Sequence, residues 1–241
     1  MNTPFNFRLT KFPNEAEILR HEVREFLSDA LKDIPKETRA ETWYGADENF
    51  SRKVGQKGWI GLNWPKEYGG AGRSSMERYV ILEEMLTAGA PVGAHWISDR
   101  QSGPLIIRYG SEKHQKELLP GILKGESYFC IGMSEPDSGS DLAALRTKAE
   151  KKGNIYLVNG TKLWTSGAHR CQYMIALFKT SQEEDRHGGF SQFIVDLSLP
   201  GVTIRPIIDL AGRHHFNEVI FEDVEVPADM IIGTEGNGWN Q

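Results

Sequence analysis

The chain has 241 residues, with 28 lysines and arginines against 33 aspartates and glutamates, which gives a formal net charge of −5. Hydrophobic residues make up 39% of the chain, which is enough to build a sizeable core, so a disordered protein is excluded. A mildly acidic chain without a block of lysines and arginines is a poor candidate for a nucleic-acid binder, because neutralising phosphates requires a clustered basic surface.

No apolar run approaches the roughly 18 residues that would span a bilayer, and the first residues lack the apolar stretch of a signal peptide. We therefore expect no membrane insertion and a cytoplasmic location. The two cysteines, Cys130 and Cys171, cannot supply a disulfide framework, which agrees with a reducing compartment.

Apolar residues at helical spacing dominate the first half of the chain. The first helix is predicted from Asn14, with Asn14 as the cap and Glu17 as its capping-box partner, through Ile34 to a stop at Pro35. Further helices are predicted near residues 47–57, 76–88, 92–109 and 111–124. Pro120 is expected to interrupt the last of these helices.

The second half changes to β-branched and aromatic runs separated by turn residues. Seven strands are predicted, over residues 128–134, 145–153, 154–166, 173–180, 191–197, 202–207 and 216–226. Tight turns are predicted at residues 152–154, at Asn159-Gly160 and at Pro200-Gly201. Strands that follow a run of helices, instead of alternating with them, argue against a parallel α/β sheet.

The predicted fold class is therefore α+β, with an all-α helical domain followed by an antiparallel β-barrel domain. The change of period near residue 127 places the helical domain at residues 1–127 and the barrel at residues 128–235. Residues 236–241, glycine-rich and including Trp239, are expected to be the start of a further helical domain.

Two stretches of the second half have an unusual composition. Residues 133–141 run from a strand into a loop dense in hydroxyl and backbone N–H groups, which can bind an anion such as a pyrophosphate. On composition alone an ordinary polar turn is the favoured interpretation of this loop. Residues 159–168 contain a strand that ends in Trp164 and two hydroxyl residues. Taken alone, Trp164 is more typical of a core residue than of a ligand platform.

The chain contains no HExxH, GxGxxG or Walker motif, and a metal site at the adjacent His214 and His215 is not expected.

Together these stretches resemble the acyl-CoA dehydrogenase family. The family's first signature stands as Ser134-Glu135-Pro136 and Gly139-Ser140-Asp141, and its second as Asn159-Gly160-Thr161-Lys162-Leu163-Trp164-Thr165-Ser166. The resemblance implies that FAD lies between the barrel and a C-terminal helical bundle.

The resemblance also implies roles for individual residues. Ser134 is expected near the pyrimidine edge of the flavin, Trp164 over the isoalloxazine ring, and Ser166 near flavin N5 and O4. Ser140 is expected to contact both the FAD pyrophosphate and the pantetheine of acyl-CoA, which makes it the expected substrate-binding residue. The full expected set of cofactor-binding residues is Ile131, Gly132, Met133, Ser134, Gly139, Ser140, Trp164, Thr165 and Ser166.

The family's reaction is the α,β-desaturation of an acyl-CoA thioester. A glutamate base removes the α proton while the β hydrogen passes as a hydride to the flavin, and an electron-transfer flavoprotein typically accepts the electrons. In the family this glutamate lies in the C-terminal helical domain, so no catalytic base is expected before Gln241, and the chain alone is expected to be inactive. Glu83, Glu84 and Glu135 are expected to be surface or structural carboxylates.

Two alternatives stay open on the sequence. One is a flavin oxidase or monooxygenase of the same fold, and the other is a non-catalytic subunit that holds FAD and acyl-CoA. The expected assembly is a homodimer or homotetramer, as is usual for the family.

The resemblance places residues 95–104 beside the acyl group, and this stretch is more polar than a fatty tail requires. One hypothesis is that the acyl group is bulky, branched or partly polar. The alternative is that Asp99 and Arg100 pair on the outside of the helix.

Overall fold

The protein is described by a computed structural model that covers residues 11–241. Its helices, in chain order, are α1 (Asn14–Ala30), α2 (Lys36–Ala40), α3 (Glu48–Gln56), α4 (Ser75–Thr87), α5 (Gly103–Tyr109) and α6 (Glu112–Leu123). A π-helical turn, Ser98–Ser102, leads directly into α5. Among the residues described here, no helix is both long and apolar enough to cross a membrane.

The starts of three helices are determined by local capping chemistry. The Asp47 carboxylate accepts a hydrogen bond from the Phe50 amide at 2.7 Å at the start of α3. Ser74 and Glu77 form a capping box at the start of α4, and Ser111 forms the corresponding box with His114 at the start of α6. These side-chain caps lie within a few residues of the starts that the sequence predicts.

The first helix differs from its prediction at both ends. Asn14 is already helical, the cap position is occupied by Pro13, and no side chain caps the helix, so the predicted capping box with Glu17 is wrong. Glu17 instead binds Arg20 one turn further along the helix. The helix ends at Ala30 instead of Ile34, because the chain turns there before the short helix α2.

The predicted interruption of the last helix by Pro120 is also wrong, since α6 runs through this residue to Leu123. Proline removes one intrahelical hydrogen bond, which leaves the carbonyl of Lys116 without its partner. Both Pro120 and Lys116 are exposed, so water can satisfy that carbonyl at little cost.

The second half forms a single eight-stranded sheet. Its strands are β1 (Phe129–Gly132), β2 (Lys148–Lys152), β3 (Ile155–Ser166), β4 (Tyr173–Lys179), β5 (Phe190–Asp196), β6 (Val202–Ile208), β7 (His214–Pro227) and β8 (Ile231–Ile232). The order is β6-β7-β3-β2-β4-β5-β8, with β1 paired to β4. Most neighbours are antiparallel, while β1 and β2 pair with β4 in parallel. The fold class is confirmed, with a barrel-like sheet whose hydrogen bonding is not closed.

The tight turns at Gly153 and Gly201 are confirmed, and both glycines have positive φ angles. The turn predicted at Asn159-Gly160 is wrong, because β3 continues through both residues. Gly160 instead marks an irregularity in the pairing of β3 with β7. A side chain at this position would meet the backbone and side chain of Thr147 at under 3 Å, which explains why a glycine stands there.

The two faces of the central strands are buried against different partners. Ile175 of β4 and Ile194 of β5 lie opposite each other and share a core with the helices. Their neighbours in sequence, including Met174 and Val195, point into a second core on the other face of the sheet. The division at residue 127 and the further helical domain beginning at residue 236 stay predictions; residues 238–240 form a single 3₁₀ turn.

Candidate functional site

The two signature stretches meet where β1 ends, beside the second half of strand β3. The Leu163 amide donates to the Ser134 carbonyl at 2.8 Å, and the Lys162 ammonium donates to the Met133 carbonyl at 3.2 Å. Residues 27 or more positions apart in sequence are therefore held side by side. The loop that follows β1 and the end of β3 form one surface.

A buried ion pair joins the stretches below that surface. The Nζ atom of Lys162 lies 2.8 Å from Oε1 of Glu135, and both side chains are buried. The backbone amides of Arg146 and Thr147 donate to the same carboxylate at 2.6 and 3.0 Å. Glu135 thus accepts three hydrogen bonds, so its carboxylate is a structural anchor for the loop.

The charge state of this pair follows from its surroundings. Burial raises the pKa of Glu135, but the Lys162 ammonium and the backbone donors outweigh burial and hold that pKa below its ordinary value. Burial lowers the pKa of Lys162, and Glu135 opposes part of that effect.

Trp164 lies on the surface beside this pair. Its indole is 56% exposed and contacts Phe216 edge to face, with ring centroids 5.9 Å apart. Of the next two residues, Thr165 is buried and Ser166 is half-buried. The buried Oγ1 of Thr165 has no hydrogen-bond partner within the described part of the chain. The expectation that Trp164 is more typical of a core residue, drawn from composition alone, is wrong, and a large exposed apolar ring suits a ligand surface.

The loop beyond Glu135 turns tightly and then opens to solvent. The amide of Glu135 donates to the Ser138 carbonyl at 2.8 Å, and the Ser138 hydroxyl donates to the Asp141 carbonyl at 2.7 Å. Gly139 and Ser140 are exposed. Across residues 11–241, the amides of Gly139, Ser140 and Asp141 donate to no backbone acceptor. These free N–H groups can therefore receive an anion.

Ile131, Gly132 and Met133 lie where β1 ends and the loop begins. Ile131 and Met133 are half-buried, while Gly132 is buried with no room for a side chain, because a Cβ there would come within 2.4 Å of Sδ of Met174. No hydrogen bond of the described residues joins Gly139 or Ser140 to residues 164–166. The structure thus brings residues 131–135 to the Trp164 strand, and leaves Gly139 and Ser140 as a separate, outer part of the site.

These residues fit a flavin dinucleotide. The exposed indole of Trp164 offers an apolar face for a ring system, and the free amides of the loop offer donors for a pyrophosphate. The hydroxyl of Thr165, the residue directly after Trp164, is a further polar atom that lacks a partner among the described residues. Among the described residues, no group of three or more histidine, cysteine, aspartate and glutamate side chains is placed to hold a metal ion.

One part of the site was missed by the sequence reasoning. Asn217 on β7 is fully buried, and its Nδ2 donates to the Thr165 carbonyl at 3.0 Å. Its Oδ1 lies 2.7 Å from Nε2 of His214 and 3.2 Å from Nδ1 of His169. Burial, then the neighbouring His214 and Arg170, lower the pKa of His169 to about 4. The adjacent histidines before Asn217 were the only sequence signal, and alone they do not indicate this network.

Two polar residues of the stretch at residues 95–104, Asp99 and His95, are bound internally. Asp99 is buried, accepts from the Gly61 amide at 2.7 Å and pairs with Arg78 at 2.8 Å, so the predicted pairing with Arg100 is wrong. Nδ1 of His95 lies 2.8 Å from the hydroxyl of Ser51. Asp99 and His95 are therefore committed to internal partners and give no support for a polar ligand.

The same stretch contributes to a cavity of about 50 Å³ between the helices and the sheet. Trp96 and Ile97 line it from the helical side, and Ser166 and Gly167 line it from the sheet. Trp43 and Tyr44 add further aromatic surface. The helical half and the Trp164 strand thus line one cavity.

The fold and the paired loops define a two-part protein with a surface suited to a nucleotide cofactor. Two family models match the chain, the acyl-CoA dehydrogenase N-terminal domain over residues 13–126 and the acyl-CoA dehydrogenase middle domain over residues 130–224. The chain belongs to the acyl-CoA dehydrogenase family, as the resemblance of the two signatures implies.

Individual relatives agree with this assignment. The chain is 38% identical over 226 residues to the acyl-CoA dehydrogenase FadE29 of Mycobacterium tuberculosis, covering 93% of this chain and 58% of that protein. The solved structure "Tcur3481-Tcur3483 steroid ACAD" superimposes with a TM-score of 0.86 at 33% identity, covering 95% of this chain and 60% of that one.

A glutaryl-CoA dehydrogenase of Mycobacterium smegmatis, solved in complex with FADH2, superimposes with a TM-score of 0.76 at 25% identity, covering 93% of this chain and 57% of that one. The family is FAD-dependent. The chain spans about 60% of the length of these relatives.

Proposed function

We propose that this chain is the FAD-binding and acyl-CoA-binding part of an acyl-CoA dehydrogenase that desaturates an acyl-CoA thioester between Cα and Cβ. The observation that carries the proposal is the joining of the two signature stretches. The Leu163–Ser134 hydrogen bond and the Lys162–Glu135 ion pair hold an exposed Trp164 beside a loop with free amides.

Bound FAD would supply the hydride acceptor of the reaction. In this proposal Trp164 covers the ring system, and Ser134 and Ser166 donate hydrogen bonds to its polar edge, where reduction places negative charge. Gly139 and Ser140 bind the pyrophosphate through their free amides, and Ser140 also contacts the pantetheine. The backbone of residues 131–133 and Thr165 complete the expected contacts.

No catalytic base is assigned within the chain. Glu135 is held by Lys162 and two amides, and Glu84 pairs with Arg20 and Arg24. Glu83 also pairs with Arg20. Carboxylates that are committed to ion pairs are poor proton acceptors, because their charged form is already stabilised. A base beyond Gln241, and an inactive chain in its absence, stay predictions.

We further propose that the acyl group is bulky, branched or ring-bearing. The support is that one structural neighbour, 33% identical to this chain, is titled a steroid ACAD. A partly polar acyl group loses its support, because Asp99 and His95 are bound internally. Turnover of straight-chain acyl-CoAs by the complete protein at equal or higher rates would contradict this assignment.

The electron acceptor and the assembly follow from the family resemblance alone, and the location restates the expectation from the sequence. We propose an electron-transfer flavoprotein as the acceptor, a homodimer or homotetramer as the assembly and the cytoplasm as the location. Reoxidation of the reduced protein by air without a partner protein would favour the alternative of an oxidase or monooxygenase.

The FAD-binding proposal is tested by titrating the chain with FAD and recording the flavin absorption spectrum. The wild-type chain is expected to bind FAD, and Trp164→Ala to bind it about tenfold more weakly because a stacking surface is lost. Tyr79→Ala removes an aromatic side chain that is 52% exposed outside the site, and it serves as the control. Equal affinities of wild type and Trp164→Ala, or no binding by wild type, would overturn the proposal.

A further inference from the structure

The backbone at Trp164 is held in an unusual conformation. Its φ angle is 60°, in the left-handed region that bulky side chains rarely adopt. From Lys162 to Thr165 strand β3 advances three residues, while β7 advances only two, from Val219 to Asn217. One extra residue on β3 is a β-bulge, which changes the direction of the side chains around it. Such a conformation persists only where its surroundings hold it.

Asn217 is the residue that holds this bulge. Its Nδ2 donates to the Thr165 carbonyl, directly after the strained residue, at 3.0 Å. Its Oδ1 lies 2.7 Å from Nε2 of His214 and 3.2 Å from Nδ1 of His169. Since an amide oxygen only accepts, both imidazoles donate to it, which assigns a proton to each of these two nitrogens.

The two imidazoles are themselves fixed. Their rings stack with centroids 3.8 Å apart and an interplanar angle of 20°. Next to them, the amide of Gly167 donates to the His215 carbonyl at 2.9 Å, and the ring of His215 packs on Tyr44 at 4.6 Å. The Thr165 carbonyl therefore fixes the nitrogen end of the Asn217 amide, and the two imidazoles fix its oxygen end.

We propose that Asn217 is a positioning residue that sets the β-bulge and thereby presents Trp164 to the flavin; the flavin part of this role rests on the proposed function. An asparagine offers a donor for one carbonyl and an acceptor for two imidazoles at this length. Aspartate has no donor for the carbonyl, and leucine has neither group. The chemistry of the site thus requires an amide at residue 217, although Asn217 lies on a different strand from both signature stretches.

The first experiment compares Asn217→Leu with Asn159→Leu. Asn159 is a matched control, because its side chain bonds Asp223 of the same strand β7 at 2.9 Å beside the other irregularity of β3. It belongs to the second signature but not to the expected set of cofactor-binding residues. Asn217→Leu is expected to weaken FAD binding roughly tenfold and to change the flavin absorption bands even at saturation. Asn159→Leu is expected to keep wild-type bands. A purely structural role would lower stability and leave the bands of the saturated protein unchanged.

The second experiment needs no cofactor. The indole N–H resonance of Trp164, assigned by its loss in Trp164→Phe, is followed by NMR in the FAD-free chain. The resonance is expected to move in Asn217→Leu and in the nearly isosteric Asn217→Asp, which has no donor for Thr165, and to stay in place in Asn159→Leu. Asn217→Asp is also expected to raise the pKa of His169, because it places a carboxylate against that ring.

These readouts separate the two proposals. A wild-type chain that binds no FAD would contradict the proposed function, while the Trp164 resonance would still report on Asn217. An unchanged Trp164 resonance in folded Asn217→Asp, or wild-type flavin bands in saturated Asn217→Leu, would overturn the role of Asn217. Asn217→Asp carries the test if Asn217→Leu does not fold.

Discussion

Lys162 has no exposed surface in the middle of β3, and its ammonium contacts the Glu135 carboxylate. Two charges in such a place are tolerated only as a pair, because each alone would lose its hydration without compensation. From sequence, the family resemblance implied a structural role for Glu135. The resemblance left the partner undetermined, since 27 residues separate the two and only the folded sheet brings them together.

Glu135→Gln tests this ion pair. The substitution leaves the buried Lys162 without its counter-charge, so the free energy of unfolding is expected to fall by about 3–5 kcal/mol. Urea unfolding followed by circular dichroism measures the loss. Glu150→Gln is the control, because the Glu150–Lys152 pair is exposed and its loss is expected to change little. Similar losses in both variants would contradict the buried pair.

The buried His95 is expected to make the stability of the folded chain depend on pH. Burial, opposed in part by Asp99, lowers the pKa of His95 to about 4 in the folded chain, against 6.5 in the unfolded chain. Between these values the unfolded state binds the proton and the folded state does not, so stability falls as the pH is lowered from 6.5 towards 4. The full effect of this residue is roughly 3 kcal/mol.

The pH effect is measured by urea unfolding at several pH values in wild type and in His95→Gln. The substituted side chain does not titrate, so the decline in stability between pH 6.5 and 4 is expected to be shallower in the variant. Parallel declines in the two proteins would show that other groups are responsible; the buried His114, whose pKa is also lowered by burial, would be the next to test.

At the scale of elements, helix starts and strands were predicted best. Asp47, Ser74 and Ser111 act through hydrogen bonds to residues three positions away, so their effect is written locally in the sequence. The errors at Pro120 and at Asn159-Gly160 have a different cause. Whether a proline or a glycine ends an element depends on the exposure and pairing of its neighbours, which local sequence does not specify.

The cap of α4 gives a prediction at this scale. Ser74→Ala removes the side-chain acceptor of the Glu77 amide, and the free energy of unfolding is expected to fall by about 1 kcal/mol. Asn14→Ala is the matched control, because Asn14 was predicted as a cap and the structure shows no side-chain cap at that helix. Thermal unfolding of both variants measures the difference. A larger loss for Asn14→Ala would contradict the cap assignment.

For the whole molecule, the notable feature is a core shared by the helices and the sheet. Phe129, Ile175 and Ile194 come from three strands and belong to the same cluster as residues of α1, α3 and α4. The alternation of strand residues between two faces predicts that both faces are buried where a run is continuously apolar, as in β4 and β5. Sequence alone does not tell which face meets the helices.

Ile175→Ala tests the shared core. Ile175 is fully buried between the sheet and the helices, so the substitution is expected to cost about 2–5 kcal/mol and to preserve a single unfolding transition. Far-ultraviolet and near-ultraviolet circular dichroism measured on the same samples check both expectations. Ile208→Ala is the control, because Ile208 is 57% exposed. Two separate transitions in the variant would show that the halves fold independently.

The sequence by itself determined the α+β class, the succession of helices and strands, and the family, because these depend on residue period, local caps and contiguous motifs. The tertiary structure decided that Glu135 meets Lys162, that Asp99 is buried with Arg78, and that Asn217 holds the bulge at Trp164. Each of these contacts joins residues distant in the chain. Their partners are selected by strand register and helix packing, and no local pattern of residues encodes that selection.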